Sequence, residues 1–179
     1  LPTYLIYIGL FWGRQIGEYP FWSDPAREIL VPIRVAQGQL PGSDFTWPYP
    51  PLAPLLNGAL IRACPWPPAT VIRIACAVNF LLIMFLLEGF ASRWLSSAAR
   101  LLLHAWLLTT PFIPLGYQGS LLSPYAISYA YGVTATLAAA HLLLALLDGR
   151  RGLAPGLLGL AVSALLHLRA DFYPVAVVC

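Results

Sequence analysis

The chain has 179 residues, of which 59% are hydrophobic and only 9% charged, and its mean hydropathy is +0.74; in soluble domains about a quarter of residues are charged. The net charge of +3 comes from ten basic residues, every one an arginine, and seven acids. These are too few and too scattered for the basic stripe that binds nucleic acid, so nucleic acid is excluded as a partner. The composition predicts an all-α, polytopic integral membrane protein.

Leu1–Trp12 is apolar and reads as the end of a first transmembrane helix (1–17), which the charge, glycine and proline of "GRQIGEYP" bring to a stop. The chain starts at Leu1 inside this run and stops at Cys179 inside "YPVAVVC", and so reads as a piece of a longer protein. Residues 18–68 form an external loop expected to hold short interfacial helices, and within it about 18–51 is the one long stretch unsuited to a bilayer, followed by the short apolar "LAPLLNGALIRAC". Further membrane helices are expected at 69–91, 101–115, 125–147 and 153–179, the last reaching "LRADFYP". One membrane domain therefore covers the chain.

Arginine placement gives the orientation. The connections at 92–100 and 148–152 hold Arg93, Arg100, Arg150 and Arg151, whereas the loop at 116–124 carries no charge. The basic loops belong on the cytoplasmic side, and alternation puts residues 18–68 on the outer side together with "RADFYP". The localisation expected is an integral multi-pass protein of the cell membrane whose carboxylate-rich loop faces outward.

That loop carries three of the seven acids, Asp24, Glu28 and Asp44. "SDPAREILVPIRVAQG" has the marks of a short helix: Asp24 as N-cap, Pro25 at the first helical position, Gly38 as the C-terminal stop and Pro32 as a kink. Asp24 reads equally as a plain cap and as a functional carboxylate. Arg27 and Glu28 fall one turn along, so two carboxylates and a guanidinium share one helix start. Asp44, after Pro41-Gly42, is either a turn residue or a second functional acid. Tyr19, Phe21, Trp22, Phe45, Trp47 and Tyr49 suit both an interfacial aromatic belt and a stacking platform for a sugar or lipid headgroup.

Three ordered patterns stand here: D-x-x-R-E-I-x-x-P at Asp24–Pro32, G-x-L-P-x-x-D-F at Gly38–Phe45 and Y-x-P-L-x-x-x-x-N at Tyr49–Asn57. Together they resemble the first external loop of bacterial membrane glycosyltransferases of the GT-C fold. These are glycosyltransferase family 39, the relatives of the protein O-mannosyltransferases and of the lipid A aminoarabinose transferases. The resemblance covers about residues 10–64 and extends more weakly to the end of the chain. It implies a GT-C-like helix bundle, a polyprenyl-phosphate-linked sugar donor and a lipid, glycan or protein acceptor at the outer membrane face. Asp24 matches the family's loop aspartate, the catalytic base or its orienter, and Asp44 falls on the second acidic position.

The departing phosphate needs positive charge, for which Arg27, Arg34 and Arg169 are candidates. Arg169 and Asp171 stand where the family has a lysine followed after one residue by an acid; the change to arginine keeps the charge and alters its geometry, and an ion pair at a helix end is the competing reading. The expected substrate-binding set is Arg27, Glu28, Arg34, Tyr49, Arg169 and Asp171.

No cofactor is expected. Some members of the superfamily use a divalent cation, Mg or Mn, and many do not; Asp24 with Asp44 does not decide between them. His104, His141 and His167 make no metal-ligand spacing, and Cys64, Cys76 and Cys179 no CxxC pair. Glu88 reads as interfacial, and Asn79, Thr134 and Thr136 as contacts between helices. The rival function is a multi-pass transporter or flippase, which would gather polar groups near mid-bilayer instead of in an external loop. A non-catalytic assembly subunit is a third reading.

Overall fold

The computed structural model describes residues 24–109, 127–149 and 152–168. The expected first helix (1–17) and residues 169–179 lie outside that range, as do 110–115 of the expected 101–115 span. Among the described residues there are six helices: α1 (Asp24–Ala36), α2 (Leu52–Ala63), α3 (Pro68–Ala91), α4 (Ser97–Thr109), α5 (Ile127–Leu147) and α6 (Ala154–Leu168). No strand occurs among them, so the all-α class holds.

α3 and α5 are long and apolar enough to cross a bilayer. Only 39% of the apolar window of α3 and 17% of that of α5 is buried within the chain. The core helix of a soluble protein would be mostly covered. Here large apolar side chains of α3 face outward instead, Phe85 at 76% exposure and Val78 at 58%, which favours membrane association.

Several helix boundaries have a local cause. α1 starts at Asp24-Pro25 and ends at Gly38, whose φ of +93° is open to glycine at little cost. There the Gln39 amide donates to the Arg34 carbonyl at 3.0 Å and the Gly38 amide to that of Val35 at 2.9 Å, the paired bonds of a Schellman stop. α3 begins at Pro68, where the missing N–H would have had no helical partner. α4 begins earlier than its composition predicts, at Ser97 instead of Leu101. The Ser96 hydroxyl accepts from the Ala99 amide at 3.3 Å, so "SSAAR" is a capped first turn and not part of a loop.

α3 and α5 run parallel in a fixed register. Asn79 meets Thr134, Leu86 meets His141 and Arg93 meets Asp148, each pair 55 residues apart; Ile72 and Ile127 share one buried cluster at the same offset. The contacts recur at the seven-residue interval at which parallel helices keep one seam in register. Between them the seam buries Phe80, Ile83 and Met84, against which Leu107 of α4 and Val133 and Leu137 of α5 pack.

Its polar rungs are bonded across the pair, apart from Asn79 Nδ2, which has no partner among the described residues. The Thr134 hydroxyl donates to Asn79 Oδ1 at 2.7 Å, and His141 Nε2 donates to the Leu86 carbonyl at 2.7 Å. The His141 ring lies so close to Gly89 that a Cβ there would stand 3.0 Å from its Cε1. Thr134→Val should lower stability by about 0.6–1.7 kcal/mol, the range of interhelical bonds between membrane helices. A double-mutant cycle with Asn79→Leu, read by thermal unfolding in detergent, checks that the loss belongs to this pair.

α4 returns antiparallel to α3, since Glu88 faces Arg100 while Leu107 reaches back to the cluster around Phe80. α6 folds back along α5 through a short turn containing Gly149 at φ +82°. At one end of the parallel pair, Arg93 of the α3–α4 turn bonds Asp148 of the α5–α6 turn at 3.2 Å. At the other end α1 and α2 pack on each other and on the start of α3, and α2 also reaches α5.

Candidate functional site

The residues singled out between Asp24 and Tyr49 gather on α1 and on the irregular segment 37–51 that follows it. Asp24 occupies the first position of α1. One turn on, an Arg27 terminal nitrogen stands 3.7 Å from Glu28 Oε1. The Arg27 guanidinium also lies over two rings, 5.3 Å from the centroid of Tyr49 and 6.0 Å from that of Trp47. Those rings meet edge to face at 5.3 Å, so the cation is held against a corner made of two aromatic side chains. Arg27 is half-buried there, with 40% of its side chain exposed. Arg34, two turns along the helix, repeats the motif over Phe45 at 4.9 Å.

The spacing of Phe45, Trp47 and Tyr49 explains the arrangement. Alternate residues of 45–49 bring three rings to the arginines of α1, Phe45 to Arg34 and Trp47 with Tyr49 to Arg27. Sequence reading named these aromatics as a belt or platform and did not assign Trp47 to the site. The alternation was the available signal.

Glu28 and Arg27 divide between two environments. An interfacial helix would keep both charges on its polar side, yet Glu28 is 8% exposed, on the inner face with Val31 and Pro32. Its carboxylate lies within electrostatic reach of Cys76 on α3 and Tyr131 on α5. Beside them the Tyr131 hydroxyl donates to Oδ1 of the fully buried Asn57 at 2.6 Å, and Asn57 Nδ2 has no hydrogen-bond partner among the described residues. A polar layer thus runs from the Arg27 corner into the junction of α1, α2, α3 and α5. Tyr131 carries no sequence signal for this role, because its partner Asn57 is 74 residues away.

Asp44 takes a different part. Its Oδ2 accepts from the Leu40 amide at 2.6 Å, and the Gly42 amide donates to the Phe45 carbonyl at 2.9 Å, with Gly42 at φ +89°. The carboxylate fastens the turn that precedes Phe45, Trp47 and Tyr49 by reaching four residues back, and not to the amide two residues on as in the Asx turn that the sequence suggests. It is exposed and one lone pair is taken; the others stay open to a ligand. Arg169 and Asp171 lie outside the described residues. Among the described residues, no group of three or more His, Cys, Asp or Glu side chains is arranged to hold a metal ion.

The arrangement can bind an anion at Arg27, stack a flat or ring-shaped group on Trp47 and Tyr49, and accept a proton where a carboxylate is free to do so. Comparison with protein-family models, curated proteins and solved structures finds no match to this chain.

Proposed function

We propose that this chain belongs to a multi-pass membrane glycosyltransferase of GT-C type, which passes a sugar from a polyprenyl-phosphate donor to an acceptor at the outer face of a bacterial cell membrane. The observation that carries the reading is the Arg27 corner: a half-buried arginine on the Trp47 and Tyr49 rings, beside Glu28 and one turn from Asp24. Phosphate and sugar are the two groups that such a corner suits, and a prenyl chain requires that it sit at a membrane surface.

In this reading Asp24 takes the proton of the acceptor hydroxyl as that oxygen bonds to the anomeric carbon. The bond from that carbon to the phosphate oxygen breaks, its electron pair leaves with polyprenyl phosphate, and the single displacement inverts the centre. Arg27 holds the phosphate as its charge rises, with Arg34 and Arg169 as further cations. Glu28 orients Arg27 from the buried side, and Tyr49 with Trp47 supports the sugar. Asp44 sets the turn that presents those rings.

The multi-pass topology has its own support. Parallel α3 and α5 need an odd number of crossings between them, which α4 and residues 110–126 are long enough to supply. Their arginine-bearing turns meet at one end through Arg93 and Asp148, as the loop-charge rule expects of a shared cytoplasmic side. The transporter reading has less support: along the α3–α5 seam Thr134, His141 and Asn79 Oδ1 are engaged in bonds between helices, while Asn79 Nδ2 has no hydrogen-bond partner among the described residues.

The test is the full-length protein in proteoliposomes with a polyprenyl-phosphate sugar and candidate acceptors. Stoichiometric release of polyprenyl phosphate with a glycosylated acceptor is the expected result. Transbilayer movement of the intact donor without cleavage would replace this reading with the transporter.

A further inference from the structure

At the opposite end of the helices, between α3 and α4, lies an open cleft of about 450 Å³, a size at which small-molecule sites are found. Leu81, Met84, Phe85 and Leu101 form its apolar walls, and its polar groups collect toward the α3–α4 turn. There Glu88 Oε1 accepts from Arg100, and Glu88 Oε2 stands 3.8 Å from His104 Nε2. The other terminal nitrogen of Arg100 donates to the Ser97 hydroxyl at 3.2 Å. Arg100 Nε has no partner among the described residues. Both charges reach the cleft, the Glu88 side chain 44% and that of Arg100 28% exposed. None of these groups takes part in the site at α1.

We propose that this cleft binds a zwitterionic phospholipid with a primary amine, of the phosphoethanolamine type, from the leaflet at the arginine-bearing ends of α3 and α5. Charge complementarity selects the occupant. A basic pocket between membrane helices attracts anionic headgroups, but here Glu88 offsets Arg100 and opposes a purely anionic one. A phosphate on Arg100 and Ser97 leaves Glu88 facing the next few atoms of the headgroup. An ammonium there donates up to three hydrogen bonds to the carboxylate, whereas a choline has no N–H to give. The acyl chain then lies on Leu81, Phe85 and Leu101, the last two of which are 76% and 71% exposed. The proposal concerns a different site from that of sugar transfer and stands or falls without it.

The experiment is photo-crosslinking of the full-length protein in nanodiscs, using ethanolamine, choline and glycerol phospholipids that carry the same diazirine-bearing acyl chain, with the labelled peptides mapped. The ethanolamine lipid should label the segments around 81–85 and 101 several-fold more than the other two. Glu88→Gln should remove that preference while leaving overall labelling, and Arg100→Gln should lower labelling by the ethanolamine and glycerol lipids alike. Leu101→Trp, which fills the cleft without touching a charge, should abolish labelling there. Equal labelling by all three headgroups, a preference retained in Glu88→Gln, or no labelling at the cleft because a second copy or another part of the chain covers it, would each overturn the proposal. Should Glu88→Gln fail to fold, the three-headgroup comparison on the unaltered protein decides alone.

Discussion

On the proposed function, Asp24→Asn in the full-length protein should lower sugar transfer by at least about two orders of magnitude, the usual contribution of a general base, and leave membrane insertion unchanged. The substitution separates the two roles that Asp24 can fill. Asparagine caps a helix about as well as aspartate, so α1 keeps its start, and Arg27 and Glu28 keep their places. What asparagine cannot do is take a proton. If Asp24 is a cap alone, the variant transfers sugar at the parental rate, and the base must be sought elsewhere. Asp24→Ser provides the companion measurement, since serine also caps well and is equally poor as a base. Asp24→Glu should retain partial activity, limited by the displacement of its carboxyl by one methylene. Rates come from release of polyprenyl phosphate, and integrity from thermal unfolding of the same samples.

Glu28 is the carboxylate that would replace Asp24 in the argument, and its setting speaks against it. Buried on the inner face of α1 and paired with Arg27, it is poorly placed to meet an acceptor arriving from water. The signal for its side lies beyond "DPAREIL": Val31, Pro32 and Val35 follow Glu28 at the third, fourth and seventh positions and put it on the apolar face, whereas Arg27 shares its side with Leu30 and Arg34. The turn containing Asp44 was easier to read, since Pro41, Gly42 and Asp44 are turn chemistry in any context. The ends of α1 and the extent of α3 were legible for the same reason: caps, prolines and unbroken apolar length are local properties. The start of α4 was hidden by its composition, small and polar in "SSAAR", although Ser96 was a cap signal. The parallel seam was legible only in part: Asn79 and Thr134 read as contacts between helices and do meet, but nothing local pairs them with each other, and Thr136 bonds the Gly132 carbonyl of its own helix instead. α5 is apolar on every side, so no face marks its partner, and the residues it meets on α3 lie 55 positions away.

Gly58 is where the site depends most on a residue that takes no part in chemistry. A Cβ at this position would stand 2.5 Å from Val35 Cγ1, 2.7 Å from Val35 Cβ and 3.1 Å from the Pro32 carbonyl oxygen. The α1 and α2 backbones therefore approach each other through the absence of a side chain. Helix propensity alone predicts that Gly58→Ala stabilises α2 by about 1 kcal/mol. Overpacking predicts a cost of about 1–3 kcal/mol, and the two Val35 distances make it the larger effect. Gly58→Ala should thus lower the unfolding temperature in detergent, and Gly58→Leu should lower it further and take sugar transfer with it, because the displaced α1 carries Asp24 and Arg27. Val35→Ala removes the nearer contact and leaves the Cβ, so it should recover part of the Gly58→Ala loss, and a double-mutant cycle measures that coupling. A rise in unfolding temperature in Gly58→Ala would show that α1 and α2 stand further apart, and the link between this glycine and the position of Asp24 would go with it.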